Sequence, residues 1–295
     1  MNATKALRPV VSVVASERTI EGGGFTVRRP FPTRRLMDID PFLVLDEMGP
    51  VDYNPGEAIG APDHPHRGFE TVTYVLDGEV QHKDSHGHAG VIGPGDVQWM
   101  TAGAGVVHSE MPTPAFQRRG GAMHGFQLWV NLPAKDKMIK PRYQGFTRDQ
   151  IPRAVSADGK VTARIVAGDA LGKSAVIETR TPIHYVHYTI EPGGRIEQSL
   201  PADYNAFAFV FGGAGKFGAD GRDAKDGDLV RFGAGDAVVI EVPADATESL
   251  ELLLIGGRPL NEPVARYGPF VMNTEAELRQ AFADYQSGRL GSIDF

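Results

Sequence analysis

The sequence predicts an all-β protein made of two β-barrels, and three observations support this fold class. Short stretches with strand-like alternation are separated by turn signals from about Gly22 to Ile255. The 36 glycines and 21 prolines are scattered at turn spacing, whereas a low-complexity segment would cluster them. A weak internal repeat also divides the chain, whose 295 residues suffice for two ordinary domains.

The predicted strands are defined by alternation and by turn residues between them. Residues Phe69 to Leu76 alternate and are rich in β-branched and aromatic side chains. The turn sequence Gly93-Pro94-Gly95-Asp96 separates a short strand at Val91 and Ile92 from a second strand at Val97 to Met100. Residues Gly125 to Asn131 alternate throughout, which predicts a strand with one buried face.

One helix is predicted, and it lies at the end of the chain. Asn273-Thr274 provides an N-cap candidate for a helix over Glu275 to Gln286. Within that range Leu278, Phe282 and Tyr285 follow helical spacing, so the helix has one apolar face.

The internal repeat rests on two short correspondences. Tyr74 to Gly78 resembles Phe209 to Gly213, which lies 135 residues later. Gly93 to Asp96 resembles Gly233 to Asp236, which lies 140 residues later. Two copies of one β-unit predict two barrels in one chain.

The boundary between the two domains is predicted in the polar, proline-containing stretch from Tyr143 to Lys160. We therefore assign residues 1–145 to an N-terminal domain. Residues 146–295 then form a C-terminal domain that carries the terminal helix.

Composition excludes several classes of site. The net charge is −7 and no long basic run is present, so direct binding to nucleic acid is not expected. The absence of cysteine excludes disulfides, thiolate metal sites and cysteine nucleophiles. The apolar stretch Val10 to Ala15 is too short for a secretion signal, and no span approaches the ~20 apolar residues of a membrane helix. The expected location is the cytoplasm, without a membrane partner.

Two short motifs combine potential metal ligands. His64-Pro65-His66 places two imidazoles on the same side of an extended chain. His108-Ser109-Glu110 repeats the period of two 44 residues later and adds a carboxylate. If the two segments are neighbours in a barrel, their four side chains can surround one divalent ion. Three histidines and one carboxylate suit Fe(II), Mn(II), Ni(II), Cu(II) or Zn(II).

The other histidines are interpreted without a metal. His86-Gly87-His88 lies in a turn without a nearby acid of the right phase, so we interpret it, together with His82, as solvated loop histidines. His184 and His187 are three residues apart on a predicted strand and therefore face opposite ways. They are interpreted as ordinary core or surface residues.

The repeat suggests that only the first barrel holds the metal. Applying the offset of 135 to the first motif gives Ser199 and Pro201, and applying 140 to the second gives Glu248 and Leu250. The second copy has therefore lost the ligand set.

These motifs carry a resemblance to a known family. HPHRGFETVTYVLDGEVQHKDS, which starts at His64, and GVIGPGDVQWMTAGAGVVHSEMP, which starts at Gly90, resemble the signature of the pirin family. GFQLWVNLPAKDKM at 125–138 is similar to the segment that follows it in that family. The resemblance covers nearly the entire chain.

The resemblance implies a bicupin, two cupin β-barrels facing one another, with one iron ion in the N-terminal barrel. The family's ligands carry over to His64, His66, His108 and Glu110. Glu70 lies four residues after His66, where many other cupins place their ligand carboxylate. We assign Glu110 as the ligand and give Glu70 a supporting role, orienting a ligand imidazole or a substrate hydroxyl.

Two functions follow from the resemblance. The first is a metal-dependent dioxygenase of the quercetin 2,3-dioxygenase type, which uses O2 to open the ring of a flavonol. In this function Glu110 or Glu70 accepts the proton of the substrate hydroxyl, and which of the two does so stays open. The alternative is a non-enzymatic, iron-binding regulator that senses redox state and binds a protein partner.

Overall fold

The computed structural model describes residues 5–295, and strands dominate this part of the chain. The first twelve strands are β1 (Val10–Ala15), β2 (Glu17–Glu21), β3 (Phe25–Phe31), β4 (Phe42–Tyr53), β5 (Ala61–His66), β6 (Phe69–Asp77), β7 (Val80–Asp84), β8 (Ala89–Ile92), β9 (Val97–Thr101), β10 (Val106–Pro112), β11 (Gly121–Asn131) and β12 (Arg142–Phe146). Helix α1 (Pro114–Arg119) and a 3-10 turn (Ala134–Asp136) interrupt this series.

The second half of the chain adds fourteen strands and ends in a helix. The strands are β13 (Arg153–Val155), β14 (Val161–Ala167), β15 (Asp169–Ala170), β16 (Lys173–Ser174), β17 (Ile183–Ile190), β18 (Arg195–Ser199), β19 (Asn205–Gly212), β20 (Ala214–Phe217), β21 (Arg222–Lys225), β22 (Asp228–Phe232), β23 (Ala237–Glu241), β24 (Leu250–Gly257), β25 (Ala265–Tyr267) and β26 (Phe270–Met272). Helix α2 (Glu275–Gln286) follows. The predicted all-β class and the terminal helix are confirmed.

The chain forms two compact units, each assembled from separate segments. The N-terminal unit comprises Arg18–Pro32, Pro41–Asp149 and Leu260–Phe295. The C-terminal unit comprises the described residues up to Glu17 together with Thr33–Asp40 and Gln150–Pro259. The terminal helix thus clusters with the N-terminal unit, because it packs on β25 and β26.

Each unit contains a seven-stranded and a four-stranded antiparallel sheet. In the N-terminal unit the orders are β12-β9-β6-β11-β4-β3-β2 and β5-β10-β7-β8. In the C-terminal unit they are β1-β22-β19-β24-β17-β14-β13 and β18-β23-β20-β21. The seven strands from β5 to β11 correspond in order to the seven strands from β18 to β24. Each corresponding pair occupies the same position in its sheet. The predicted repeat is therefore present.

One of the two correspondences used to find the repeat is wrong. Tyr74 to Gly78 and Phe209 to Gly213 close equivalent strands, β6 and β19. In contrast, Gly93 to Asp96 precedes β9, whereas Gly233 to Asp236 precedes β23, the counterpart of β10. Short Gly/Asp turns occur at several strand ends in such a fold, so a single turn motif cannot identify which strand follows.

The counterparts of the metal-motif strands carry no ligand set. β18 pairs with β23 through Ile196 opposite Ile240 and Gln198 opposite Val238. All four side chains are buried, and the apolar ones belong to the large hydrophobic cluster of the C-terminal unit. This interior is filled by packed side chains, and the corrected positions carry isoleucine, valine and glutamine where the N-terminal motifs carry histidine and glutamate.

Helix α2 begins at a capping box. Thr274 accepts a hydrogen bond from the Glu277 amide, and the Glu277 side chain accepts one from the Thr274 amide. Leu278 and Ala281 on its apolar face are buried. Among residues 5–295, no helix combines the length and the apolar character that crossing a bilayer requires.

Candidate metal centre

The two histidine motifs lie on neighbouring strands of the N-terminal unit. β5 and β10 pair antiparallel, with His64 opposite His108 and His66 opposite Val106. Directly opposed residues of an antiparallel pair point to the same face of the sheet. Because His64 and His66 also share a face by strand alternation, all three imidazoles project to one side.

The three imidazoles converge closely enough to bind one ion. Their ring centroids are 4.7 Å apart for His64 and His66, 4.4 Å for His64 and His108, and 4.9 Å for His66 and His108. One nitrogen of each lies within 4.8 Å of the others. Imidazole nitrogens bind first-row metals at about 2.0–2.1 Å, so small rotations of the rings would bring the three nitrogens to one ion.

The hydrogen bonds of the three rings leave metal-binding nitrogens available. The Nδ1 atom of His64 lies 2.7 Å from the Pro62 carbonyl oxygen, and that of His66 lies 3.4 Å from the Pro269 carbonyl oxygen. We assign each Nδ1 as a donor, which leaves Nε2 as the lone-pair nitrogen. His108 is 1% exposed, and within residues 5–295 neither of its ring nitrogens has a hydrogen-bond partner. Buried polar atoms are rarely left unpaired, so this ring fits a metal ligand.

The charge state of the buried rings also suits metal binding. Burial lowers the pKa of His66 well below its ordinary value, and the nearby His64 lowers it further. Burial likewise lowers the pKa of His108, with additional effects from His66 and His64. Both rings are therefore neutral near pH 7, which is the form that binds a metal.

Glu110 lies beside this group but is not part of the histidine triad. The β5–β10 pairing shifts register between His108 and Glu110, whereas the β10–β7 pairing is regular through both residues. Its carboxylate lies 2.9 Å from the Thr73 hydroxyl and 3.5 Å from the Gln127 side-chain nitrogen. Burial raises the pKa of Glu110, while His64, Thr73 and Gln127 act in the opposite direction. The triad within 4.8 Å contains the histidines only, so ligation by Glu110 stays a prediction.

Glu70 occupies a different position from Glu110. It is 1% exposed and accepts a hydrogen bond from the Thr101 hydroxyl at 2.6 Å. The pairing of β6 with β9 is regular from Glu70 to Tyr74, so Glu70 and Thr73 point to opposite faces of β6. Thr73 contacts Glu110, so the face of β6 that carries Thr73 is turned toward Glu110. Glu70 lies on the opposite face of β6 and points away from the Glu110 carboxylate.

A second polar cluster next to the triad was not predicted from the sequence. His82 is 6% exposed, so its interpretation as a solvated loop residue is wrong. It lies on β7 opposite Glu110, and its ring stacks on Tyr143 with 5.2 Å between centroids. Asp84, which is fully buried, accepts a hydrogen bond from Nδ1 of His88 at 2.9 Å. The sequence did contain a pattern that could have placed His82 on a strand. His82 and Asp84 are two residues apart, and in an extended strand both side chains point to the same face.

An aromatic surface adjoins the triad. Trp129 stacks on Phe69 with 4.2 Å between ring centroids, and its centroid is 5.1 Å from that of His66. The Arg266 guanidinium lies 5.2 Å from the Trp129 ring centroid. Trp129 remains partly exposed, so the aromatic surface beside His66 is not completely covered.

Comparison with known families agrees with this architecture. The pirin family model matches residues 24–130, and the model of the pirin C-terminal cupin domain matches residues 185–291. The chain belongs to the pirin family. A pirin-like protein of Solanum lycopersicum is 46% identical over 285 residues, which cover 96% of this chain and 93% of the relative. A pirin-like protein of Caulobacter vibrioides is 43% identical over 285 residues, which cover 96% and 99%.

Among solved structures, a quercetin 2,3-dioxygenase from Acinetobacter baumannii is similar over the whole chain. The two share 35% sequence identity with a TM-score of 0.90, and the match covers 98% of this chain and all of the dioxygenase chain. The likeness supports the bicupin fold of this pirin family member, with a candidate metal centre in its N-terminal unit.

Proposed function

We propose that this protein is a metal-dependent dioxygenase that cleaves flavonols such as quercetin with O2. The observation that carries the proposal is the triad of His64, His66 and His108, in which both nitrogens of the buried His108 lack a hydrogen-bond partner among the described residues. The similarity to a quercetin 2,3-dioxygenase from Acinetobacter baumannii supports the choice of reaction.

The proposed ligand set is the triad together with Glu110. Three imidazoles and one carboxylate suit Fe(II), which we propose as the resident ion, and the same donors suit Mn, Ni, Cu or Zn. A divalent cation at this position supplies positive charge that lowers the pKa of a coordinated hydroxyl.

Within this proposal Glu110 accepts the proton of the substrate hydroxyl. Its carboxylate belongs to the proposed ligand set, which places a proton acceptor next to a hydroxyl that binds the ion. Thr73 and Gln127 hold the carboxylate beside His64. Glu70 is the weaker candidate, because strand alternation directs it to the other face of β6 and Thr101 donates to it there. We propose for Glu70 only a supporting role through β6.

The aromatic surface gives the substrate a place to bind. A flavonol is flat and aromatic, and the partly exposed Trp129 lies beside His66. Phe69 and Arg266 contact Trp129 and limit its rotation, so the ring is already oriented before a substrate arrives. Small-molecule sites commonly combine such an apolar wall with a few polar groups.

The test is oxygen uptake by anaerobically prepared protein that has been loaded with Fe(II) and given quercetin. We expect uptake by the wild type and its loss in His66→Ala, together with loss of most bound iron. His86→Ala serves as the matched control, because His86 is an exposed histidine of the loop after β7. Absence of uptake by wild-type protein with verified iron content would contradict the dioxygenase proposal. It would favour the iron-binding regulator, and a search for its protein partner would follow.

A further inference from the structure

The C-terminal segment, defined here as residues 265–290, packs behind both strands of the histidine triad. Val107, the neighbour of His108 on β10, belongs to a hydrophobic cluster formed otherwise by this segment. Its buried members are Val107, Ala265, Phe270, Met272, Leu278, Ala281 and Leu290. The backbone of Arg67 forms an isolated parallel bridge with Phe270, and the Val271 amide donates to the Arg67 carbonyl at 3.0 Å. The segment therefore covers the strand end that carries His66.

One contact of this segment reaches a ligand directly. The Pro269 carbonyl oxygen, in the turn between β25 and β26, lies 3.4 Å from Nδ1 of His66. A carbonyl that accepts from one imidazole nitrogen fixes the tautomer and the ring orientation of a metal-binding histidine. The orientation of His66 thus depends on a residue more than 200 positions later in the chain.

The position of the segment depends in turn on a buried ion pair. Arg67 follows His66 and is 4% exposed. Its Nη1 atom donates to Oδ2 of Asp284 in α2 at 2.8 Å, and its Nε atom donates to the Ala104 carbonyl at 2.7 Å. Asp284 also accepts hydrogen bonds from Gln280 and Arg289 through its other oxygen.

A second cation holds the residue after Arg67. The buried Lys137 ammonium donates to the Gly68 carbonyl at 2.8 Å and to the Val271 carbonyl at 3.0 Å, which ties β26 to the end of the histidine motif. It also donates to Asn131. Contacts with residues outside β5 therefore hold its last residue, His66, and the two residues that follow it, Arg67 and Gly68. Loosening α2 from Arg67 would leave the Pro269 contact with His66 poorly fixed.

We propose that Asp284 is a positioning residue of the metal centre, which acts through Arg67 on His66, and that metal binding in turn stabilises the C-terminal segment. The second half follows from the first by thermodynamic linkage. If packing of the C-terminal segment against the histidine motif favours metal binding by some factor, the bound metal favours this packing by the same factor. The inference rests on the metal centre of the proposed function but requires no activity.

The test compares the affinity of wild type and Asp284→Asn for Ni(II), measured by competition with a chromophoric chelator. We expect the variant to bind Ni(II) at least about tenfold more weakly, as is usual when a residue that orients a ligand is removed. Thr274→Ala is the matched control, because it removes the cap of the same helix without touching Arg67. The control should stay within about twofold of the wild type, since the coupling passes through Asp284. The absorption spectrum of Co(II)-loaded Asp284→Asn should also differ from that of Co(II)-loaded wild type. Substitution of a residue with a purely structural role would leave this spectrum unchanged.

The predicted coupling between metal binding and the C-terminal segment is tested on wild-type protein by amide hydrogen exchange. Amides of α2 should exchange more slowly with Ni(II) than without it, by a factor similar to the affinity loss in Asp284→Asn. Equal affinities of wild type and Asp284→Asn, or equal exchange of α2 with and without metal, would overturn the inference. Failure of wild type to bind Ni(II), Fe(II) or Co(II) at all would instead contradict the metal centre itself.

Discussion

Gly68 offers a sharp test of how tightly the histidine motif is packed. Its φ of +86° lies in the left-handed region, and a Cβ built on it would lie 1.9 Å from the Val271 carbonyl oxygen. Gly87 has the same φ of +86°, but a Cβ placed there would meet no atom within 4 Å. Alanine at either position suffers the same backbone strain, about 1–2 kcal/mol. Only alanine at position 68 must also displace β26.

The cost of that displacement can be estimated from the contacts that would break. The Val271 amide donates to the Arg67 carbonyl at 3.0 Å, and the Lys137 ammonium donates to the Val271 carbonyl at 3.0 Å. Each such hydrogen bond contributes about 1 kcal/mol. We therefore expect Gly68→Ala to lower the free energy of unfolding by about 3–4 kcal/mol, and Gly87→Ala by about 1–2 kcal/mol.

The assay is urea unfolding of the metal-free full chain, followed by tryptophan fluorescence and by circular dichroism. Comparing the two probes shows whether the two units unfold together, which a single free energy requires. Equal destabilisation by Gly68→Ala and Gly87→Ala would refute the reasoning, because it would show that β26 yields without loss of its contacts.

Three further predictions concern the site and its support. The Arg67 guanidinium holds the pKa of Asp284 down to about 2, from an ordinary value of 3.8. A carboxyl group whose pKa is lowered in the folded protein stabilises the fold at pH values above its ordinary pKa. This stabilisation is lost as the pH falls. The free-energy advantage of wild type over Asp284→Asn in urea should thus shrink by about 1–2 kcal/mol from about pH 6 to about pH 2, and a constant difference would contradict the assignment. His108→Leu should abolish metal binding yet leave the metal-free protein at least as stable in thermal unfolding, since it removes two unpaired buried nitrogens. Marked destabilisation would mean that His108 has a structural partner. Glu110→Gln should lower kcat/KM for quercetin at least about 100-fold, the usual effect of removing a general base, whereas Glu70→Gln should be much milder; a larger loss at Glu70 would reverse the assignment.

Local patterns were sufficient for the strands and for the terminal helix. The alternation of Gly125 to Asn131 predicted a strand, and this segment lies within β11. An N-cap was predicted at Asn273-Thr274, and Thr274 forms it as part of a capping box with Glu277. These features depend on residues at most a few positions apart, so sequence spacing contains the necessary information.

Local patterns failed where a residue's surroundings come from distant strands. His82 looked like a loop residue, yet β10 pairs with β7 on one side of it and Tyr143 from β12 stacks on its ring. The short helix α1 was also missed, although Thr113 before Pro114 is a recognisable cap signal. The repeat was found, but one of its turn motifs was matched to the wrong strand, because similar turns close many strands.

For the metal centre, the sequence by itself determined which side chains share a face. The period of two in His64-Pro65-His66 and in His108-Ser109-Glu110 fixes this, because side chains alternate along any extended strand. Only the tertiary structure decided that β5 and β10 are neighbours and that Glu70 and Glu110 lie apart. It also brought Pro269 and Asp284 to the back of the histidine motif. Strand pairing and packing between distant segments depend on the whole chain at once, and no local spacing encodes them.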